Sequence, residues 1–336
     1  MQIVYSAEHR LHSTDRVERA DQPFTTEEVP ARAEIILSAV QAVQLGAVGD
    51  PIDHGLDPIL AVHDADFVEF LRTVYVDQSA RTGRAATVFA DYPAPRRIQR
   101  ARVAGAARVG FYAFGGDSPI LESTWLAAYW SAQCALTGAD IVRESGETAY
   151  ALCRPPGHHA DVDLYGGFCY LNNAAIAARY LRARTAILDV DYHHGNGTQA
   201  IFYADPTVLY CSIHARPDEE YPYYWGESDE RGEGAGLGFN CNWPLPQGAD
   251  DALYLRTLDA ALAAIRDFEP RYLIVSAGFD IAAGDPIGGF SVTVDGFRAI
   301  GERIAGLRIP TLIVQEGGYL LEKLGENAAA FLRVFA

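Results

Sequence analysis

The sequence predicts an α/β protein: one three-layer domain over residues 1–336, with a mostly parallel central sheet and helices on both faces. Three observations predict it. Apolar runs of strand length alternate with amphipathic helical patterns, the signature of parallel strands joined by covering helices. No internal repeat or low-complexity segment interrupts that alternation. The composition, 49% hydrophobic and 21% charged over 336 residues, is that of a globular chain able to bury a large core.

A strand opens the chain at 3–5. Residues 30–45 read as a helix with Pro30 near its first turn, where a missing N–H is tolerated. Residues 64–75 read as another, capped by Asp64. A long helix is expected at 125–144, strands at 149–153, 185–190, 208–213, 272–276 and 311–314, and helices at 174–183, 251–268, 294–304 and 321–335. The uncharged stretch 123–138 is shorter than the roughly 20 apolar residues of a membrane span and contains Ser131, Gln133 and Thr137, so it reads as a core helix. Segment 77–109 breaks the pattern. It is polar and carries Arg96, Arg97, Arg100 and Arg102, which would be solvated or would pair with acidic patches on a second subunit. We read it as an insertion used in dimerisation.

Lys plus Arg total 27 against 44 Asp plus Glu, a formal net charge of −17. Such a surface keeps a protein soluble, repels nucleic acid and anionic membranes, and favours cationic ligands. Five cysteines, with no C-x-x-C, suggest neither a disulfide framework nor a thiolate zinc site. They fit small buried hydrophobes in a reducing compartment. Residues 1–13 lack the basic and apolar regions of a signal peptide, so a cytoplasmic protein is expected.

In parallel sheets, ligands collect beyond the carboxyl ends of the strands. Four predicted strand ends carry reactive groups. Arg154-Pro-Pro-Gly-His158-His159 follows the first; Asp189, Asp191, His193, His194 and Asn196 end the second; Gly278-Phe-Asp280 follows the third; Glu316-Gly-Gly-Tyr319 follows the fourth. Five of the nine histidines fall between His158 and His214, which argues against scattered structural use. Asp191 and His193, two apart on leaving a strand, can face one side, and Asp280 can complete a three-ligand site that leaves a position open for water. The competing reading has Asp191 and His193 capping a helix that starts near Gly195. A two-carboxylate, one-imidazole set suits zinc or ferrous iron. Such a metal is a weaker Lewis acid than one held by three histidines, so the oxyanion needs another donor, for which Tyr319 is the candidate. Gly317 and Gly318 would let its loop adjust. One of His158 and His159 can serve as general base and acid, and the other as electrostatic support. Asp189 and Asn196 are candidate partners for their far nitrogens.

The motifs R-P-P-G-H-H-A (154–160), G-G-F-C-Y-L-N-N (166–173), L-D-V-D-Y-H-H-G-N-G-T (188–198), S-A-G-F-D (276–280) and Q-E-G-G-Y (315–319) resemble, in order and spacing, the histone deacetylase superfamily with its arginase-like fold. The resemblance implies zinc on Asp191, His193 and Asp280, and His159 as base and acid with His158 beside it. It implies that Tyr319 polarises the carbonyl and that Gly167 and Phe168 line the acyl tunnel. Asp189 would orient His158, and Asn196, an Asp in some members, would stand beside His159. Structural potassium or sodium would bind at Asp189, Asp191, His193, Ser212 and Ile213, and at an outer site of Phe202, Asp205, Val208 and Asn242. Within the superfamily the chain looks most like bacterial acetylpolyamine amidohydrolases, which implies a small acetylated cationic amine as substrate and a homodimer. Asp117 matches an acid in that group that meets the substrate's distal cation, although it is one methylene shorter than the usual Glu. Ile287 stands where a eukaryotic polyamine-specific relative carries an acidic gatekeeper.

Two readings compete within deacetylation, an acetylpolyamine or an acetyl-lysine in a protein. A non-catalytic acyl-binding homologue is the reading of another class. A two-metal ureohydrolase is excluded, because its D-x-H-x-D and S-x-D-x-D motifs would need carboxylates where Gly195 and Gly278 stand.

Overall fold

The computed structural model describes residues 1–19, 22–83, 85–94 and 105–336. Its strands are β1 (Gln2–Val4), β2 (Glu18–Arg19), β3 (Gln22–Pro23), β4 (Ala47–Gly49), β5 (Ala149–Ala151), β6 (Thr185–Asp189), β7 (Val208–Ala215), β8 (Asn240–Leu245), β9 (Tyr272–Ala277) and β10 (Thr311–Gln315). Its helices are α1 (Ala31–Ala42), α2 (Asp57–Leu60), α3 (Ala65–Thr82), α4 (Ala107–Phe111), α5 (Thr124–Ser145), α6 (Asn173–Leu181), α7 (Asn196–Phe202), α8 (Asp251–Phe268), α9 (Val294–Ala305) and α10 (Leu321–Leu332).

Eight strands form one sheet in the order β4-β1-β5-β10-β9-β6-β7-β8. Every pairing in it is parallel. The central strands β5, β6, β9 and β10 are buried throughout and mostly apolar, because both faces are covered. Successive residues turn to opposite faces: Ile187 joins one core, while Ala186 and Leu188 join the other. Helices α5 and α6 cover the first face; α1, α8, α9 and α10 cover the second. Side-chain caps start three of the helices. Asn172 accepts from the Ala175 N–H at 3.0 Å, Asp250 from Leu253 at 2.9 Å, and Thr293 from Gly296 at 3.1 Å.

The structure corrects several expectations. The edge strands β4 and β8 were not foreseen: the first is three exposed residues, and the second carries Asn240, Asn242 and Pro244. Proline is tolerated there because an edge strand leaves N–H groups unpaired. The helix expected to end at residue 75 runs to Thr82, so the first six residues given to the insertion belong to α3. Asp64 makes no side-chain capping bond to α3. Arg96, Arg97, Arg100 and Arg102 lie outside the described residues. Among the described residues, no helix is long and apolar enough to cross a membrane.

Candidate active site

The carboxyl ends of β5, β6, β9 and β10 lie side by side, so the four reactive loops meet. Buried Arg154 roots the first of them. Its Nε donates to Glu28 Oε1 at 2.7 Å and its Nη2 to Oε2 at 2.9 Å; Nη1 and Nη2 also reach the carbonyls of His9 and His12. Glu316 fastens the following turn. Its Oε2 accepts from the N–H groups of Gly157 (2.7 Å) and His158 (3.2 Å), and its Oε1 accepts from Ser276 Oγ at 3.2 Å. One buried carboxylate therefore ties the ends of three strands.

The two imidazoles so positioned sit 4.1 Å apart, centroid to centroid. His158 Nδ1 donates to Asp189 Oδ2 at 3.1 Å, and Tyr210 Oη donates to the same oxygen at 3.0 Å. His159 Nδ1 meets Asn196 Oδ1 at 2.7 Å. Burial opposes a charge on His158, but Asp191 and Asp189 outweigh it and hold this imidazole up at about 10. Burial, then His158 and His193, push His159 well below the ordinary histidine range. Their surroundings thus push the two neighbouring imidazoles in opposite directions.

Asp191, His193 and Asp280 form a buried cluster whose potential ligand atoms all lie within 4.8 Å of one another. His193 Nδ1 is 3.3 Å from Asp191 Oδ1 and 3.2 Å from Asp280 Oδ2. Burial and the Asp191 carboxylate push Asp280 up to about 7. Two carboxylates and an imidazole converging in a buried site are a donor set that fits a divalent cation, which would keep both carboxylates ionised. The helix foreseen by the competing reading exists as α7, but its N-cap is Gly195 with no side-chain cap; Asp191 and His193 turn to Asp280 instead. A Cβ on Gly278 would lie 2.1 Å from Asp191 Oδ2, and one on Gly195 2.4 Å from Asp189 Oδ2. The carboxylates of a second metal have no room at either position. Gly317 has a packing role beside the flexibility expected of it: its N–H donates to Asp191 Oδ2 at 2.8 Å, and a Cβ there would lie 2.2 Å from Asp280 Oδ2.

Above this cluster opens a cavity of about 310 Å³. His159, His193 and Tyr319 stand at its reactive end, Gly167 and Phe168 along it, and Asp117 and Ile287 also line it. Tyr319 is oriented by its neighbours. Its N–H donates to Asp285 Oδ2 at 2.7 Å, and the Arg32 guanidinium lies 4.4 Å from its ring centroid. Arg32 in turn donates to the carbonyls of Gly318 (2.6 Å) and Glu316 (2.7 Å). Burial raises the Tyr319 phenol well above its ordinary range, so it remains a donor. Asp117 Oδ1 accepts from the Gly167 N–H at 3.2 Å.

Sequence reasoning missed Glu220 and Tyr221, which line the same cavity. The Tyr221 ring lies 5.1 Å from that of His159, and its hydroxyl is buried without a hydrogen-bond partner. Neither residue belongs to a motif at a strand end; both sit on the loop after β7. The roles of Glu316 and Arg32 were also missed, although Glu316 lies in the Q-E-G-G-Y motif. Asp189 and Ser212 are register partners, so the inner cation group is brought together. The outer group is not. Asn242 pairs with Ser212, four residues along β7 from Val208, which is about 13 Å at the usual rise per residue. Beside the remainder, Arg179 pairs with Asp205 and lies 4.8 Å from the centroid of the Phe202 ring. His194 and His214 bond to Ser212 Oγ rather than entering the cavity.

A parallel sheet with its reactive groups gathered at the strand ends defines an α/β enzyme. The chain belongs to the histone deacetylase family: residues 26–335 match the histone deacetylase domain. It is 44% identical to acetylpolyamine amidohydrolase 1 of Pseudomonas aeruginosa, covering 99% of this chain and 98% of that protein. It is 48% identical to the acetylpolyamine amidohydrolase of Burkholderia pseudomallei, covering 92% and 91%. A crystal structure of acetylpolyamine aminohydrolase from Burkholderia pseudomallei superposes with a TM-score of 0.94 at 44% identity, over 100% of this chain and 98% of the other.

Proposed function

We propose that the protein is a metal-dependent amidohydrolase that removes the acetyl group from small acetylated amines of the acetylpolyamine class. The observation that carries this reading is the Asp191–His193–Asp280 cluster at the base of a cavity shared with His159 and Tyr319. The similarity to acetylpolyamine amidohydrolases over nearly whole chains supports the substrate class.

A divalent ion on Asp191, His193 and Asp280, zinc or ferrous iron, would supply Lewis acidity toward the carbonyl and toward water. This chain's residues do the rest. His159, neutral, accepts the proton of the attacking water and returns it to the leaving amine. His158, whose proton Asp191 and Asp189 favour, would supply positive charge beside it. Tyr319 donates to the developing oxyanion. Gly167 and Phe168 narrow the passage: a Cβ on Gly167 would lie 2.4 Å from His159 Cδ2.

The same reading extends to assembly and environment. Arg96, Arg97, Arg100 and Arg102, on a chain of net charge −17, suit an acidic surface of a second copy, so a homodimer is proposed, with the cytoplasm as its compartment. A potassium or sodium ion beside Asp189, Asp191, His193, Ser212 and Ile213 would fix the β6–β7 strand ends.

A substrate panel tests the function. N-acetylputrescine and an acetyl-lysine peptide are assayed with the metal-loaded and the chelator-treated enzyme, and sedimentation gives the assembly state. Acetate release favouring the diamine and lost on chelation is expected. A preference for the peptide would point to a protein lysine deacetylase, and no release from either to a binding homologue.

A further inference from the structure

The loop after β7 carries three consecutive acids, Asp218, Glu219 and Glu220. Arg216 serves the first two: its Nη2 is 2.7 Å from Asp218 Oδ2 and its Nη1 is 3.6 Å from Glu219 Oε1. Glu220 has no cationic partner among the described residues and is the one that lines the active-site cavity. Its backbone is pinned on both sides, since the Glu220 N–H donates to the Arg216 carbonyl and the Tyr223 N–H to the Glu220 carbonyl, each at 3.0 Å. Gln247 Nε2 donates to Glu220 Oε1 at 2.6 Å. That donor is neutral, so it orients the carboxylate without consuming its charge.

The surroundings decide what such a group does. Glu220 is half-buried, beside the Tyr221 ring that forms part of the wall. A carboxylate in a partly enclosed mouth is screened less than one on an open surface and draws a cation more strongly. Ile287, on the same cavity, offers no charge. Asp117, the other acid there, already receives the Gly167 N–H and, at 3.0 Å, the Ser118 hydroxyl on the same oxygen. Of the two carboxylates, Glu220 is the one spent less on holding the backbone.

We propose that Glu220 is a specificity-determining residue that binds the terminal ammonium of the acetylated amine from the loop after β7. This rests on the deacetylase reading above and deepens it: the preferred substrate is an acetamide with a cation at its far end.

The test uses the metal-loaded enzyme with N-acetylputrescine and N-pentylacetamide, which differ only by a methyl group in place of the ammonium. The readout is the ratio of the two kcat/KM values for the wild type and for Glu220→Gln. The substitution should cut that ratio roughly five- to tenfold, through KM for the diamine. The wild-type ratio should also fall as salt is raised. Glu220→Lys should lower the ratio further. An unchanged ratio in Glu220→Gln, or an equal loss of kcat on both substrates, overturns the assignment of Glu220 and leaves the deacetylase reading standing. A wild type that hydrolyses neither amide takes down both.

Discussion

His159 turns its Nδ1 to the amide oxygen of Asn196 at 2.7 Å, a contact that fixes the imidazole without lending it a negative charge. With that nitrogen donating, Nε2 remains the basic atom. Asp189 does the opposite for His158, bringing a carboxylate to its Nδ1. The two contacts differ in charge, an amide for His159 and a carboxylate for His158.

Replacing Asn196 by Asp would remove this asymmetry. A carboxylate beside His159 favours the imidazolium and raises its pKa by roughly one unit or more. The neutral form is the base, so the acidic limb of the kcat/KM profile should move to higher pH and activity at low pH should fall. A limb that stays in place would belong to another group.

Tyr319 donates to a charge that develops only during reaction. Tyr319→Phe should therefore lower kcat on the order of 10²–10³-fold with little change in KM. Steady-state kinetics on N-acetylputrescine check this, and an unaltered kcat would mean that another donor serves the oxyanion.

Asp280→Asn takes one charge from the ligand cluster. Metal content measured by atomic spectroscopy should fall together with activity. Stoichiometric metal and full turnover in this variant would remove Asp280 from the site.

Glu316→Ala would strand three buried donors: the N–H groups of Gly157 and His158 and the Ser276 hydroxyl. Leaving such groups unpaired costs about 1–3 kcal/mol each, partly relieved by water, so a loss on the order of 3 kcal/mol is expected in urea unfolding. Glu316→Gln, which keeps an acceptor, should recover part of it. Equal stability of the two variants would count against this tether.

His63 makes a stability prediction with a definite sign. Its Nδ1 donates to the Asp161 carbonyl at 2.9 Å, and its Nε2 accepts from the Asn172 N–H at 2.9 Å, so the folded protein needs the neutral ring. Burial lowers this histidine from 6.5 to about 4. Between those values the unfolded chain binds the proton and the folded chain does not, so stability rises with pH across that window. The contribution is complete above about 6.5 and is lost as pH falls through about 4, in total roughly 3 kcal/mol. Urea midpoints from pH 7.5 to 4.5 should fall more steeply for the wild type than for His63→Gln. Parallel slopes would rule His63 out as the titrating group.

Much of this was legible in the chain because its signals are local. Apolar runs such as those of β6, β9 and β10 announce strands covered on both faces, and a motif such as D-V-D-Y-H-H carries its spacing with it. Asp191 and His193 lie on the bend just past β6, and their spacing of two brings the side chains within 3.3 Å of each other. The short β4 and the Asn- and Pro-containing β8 were illegible because an edge strand is defined by its neighbour more than by its own pattern.

Fold class and the identity of the reactive groups are readable from the chain alone, since periodicity and motif spacing are properties of neighbouring residues. It took the assembled fold to show that Glu316 ties three strand ends, and that Glu220 reaches the cavity while Asn242 is carried away from Val208. These relations join residues far apart in the chain. They depend on strand order and register, which are set by how the whole core packs.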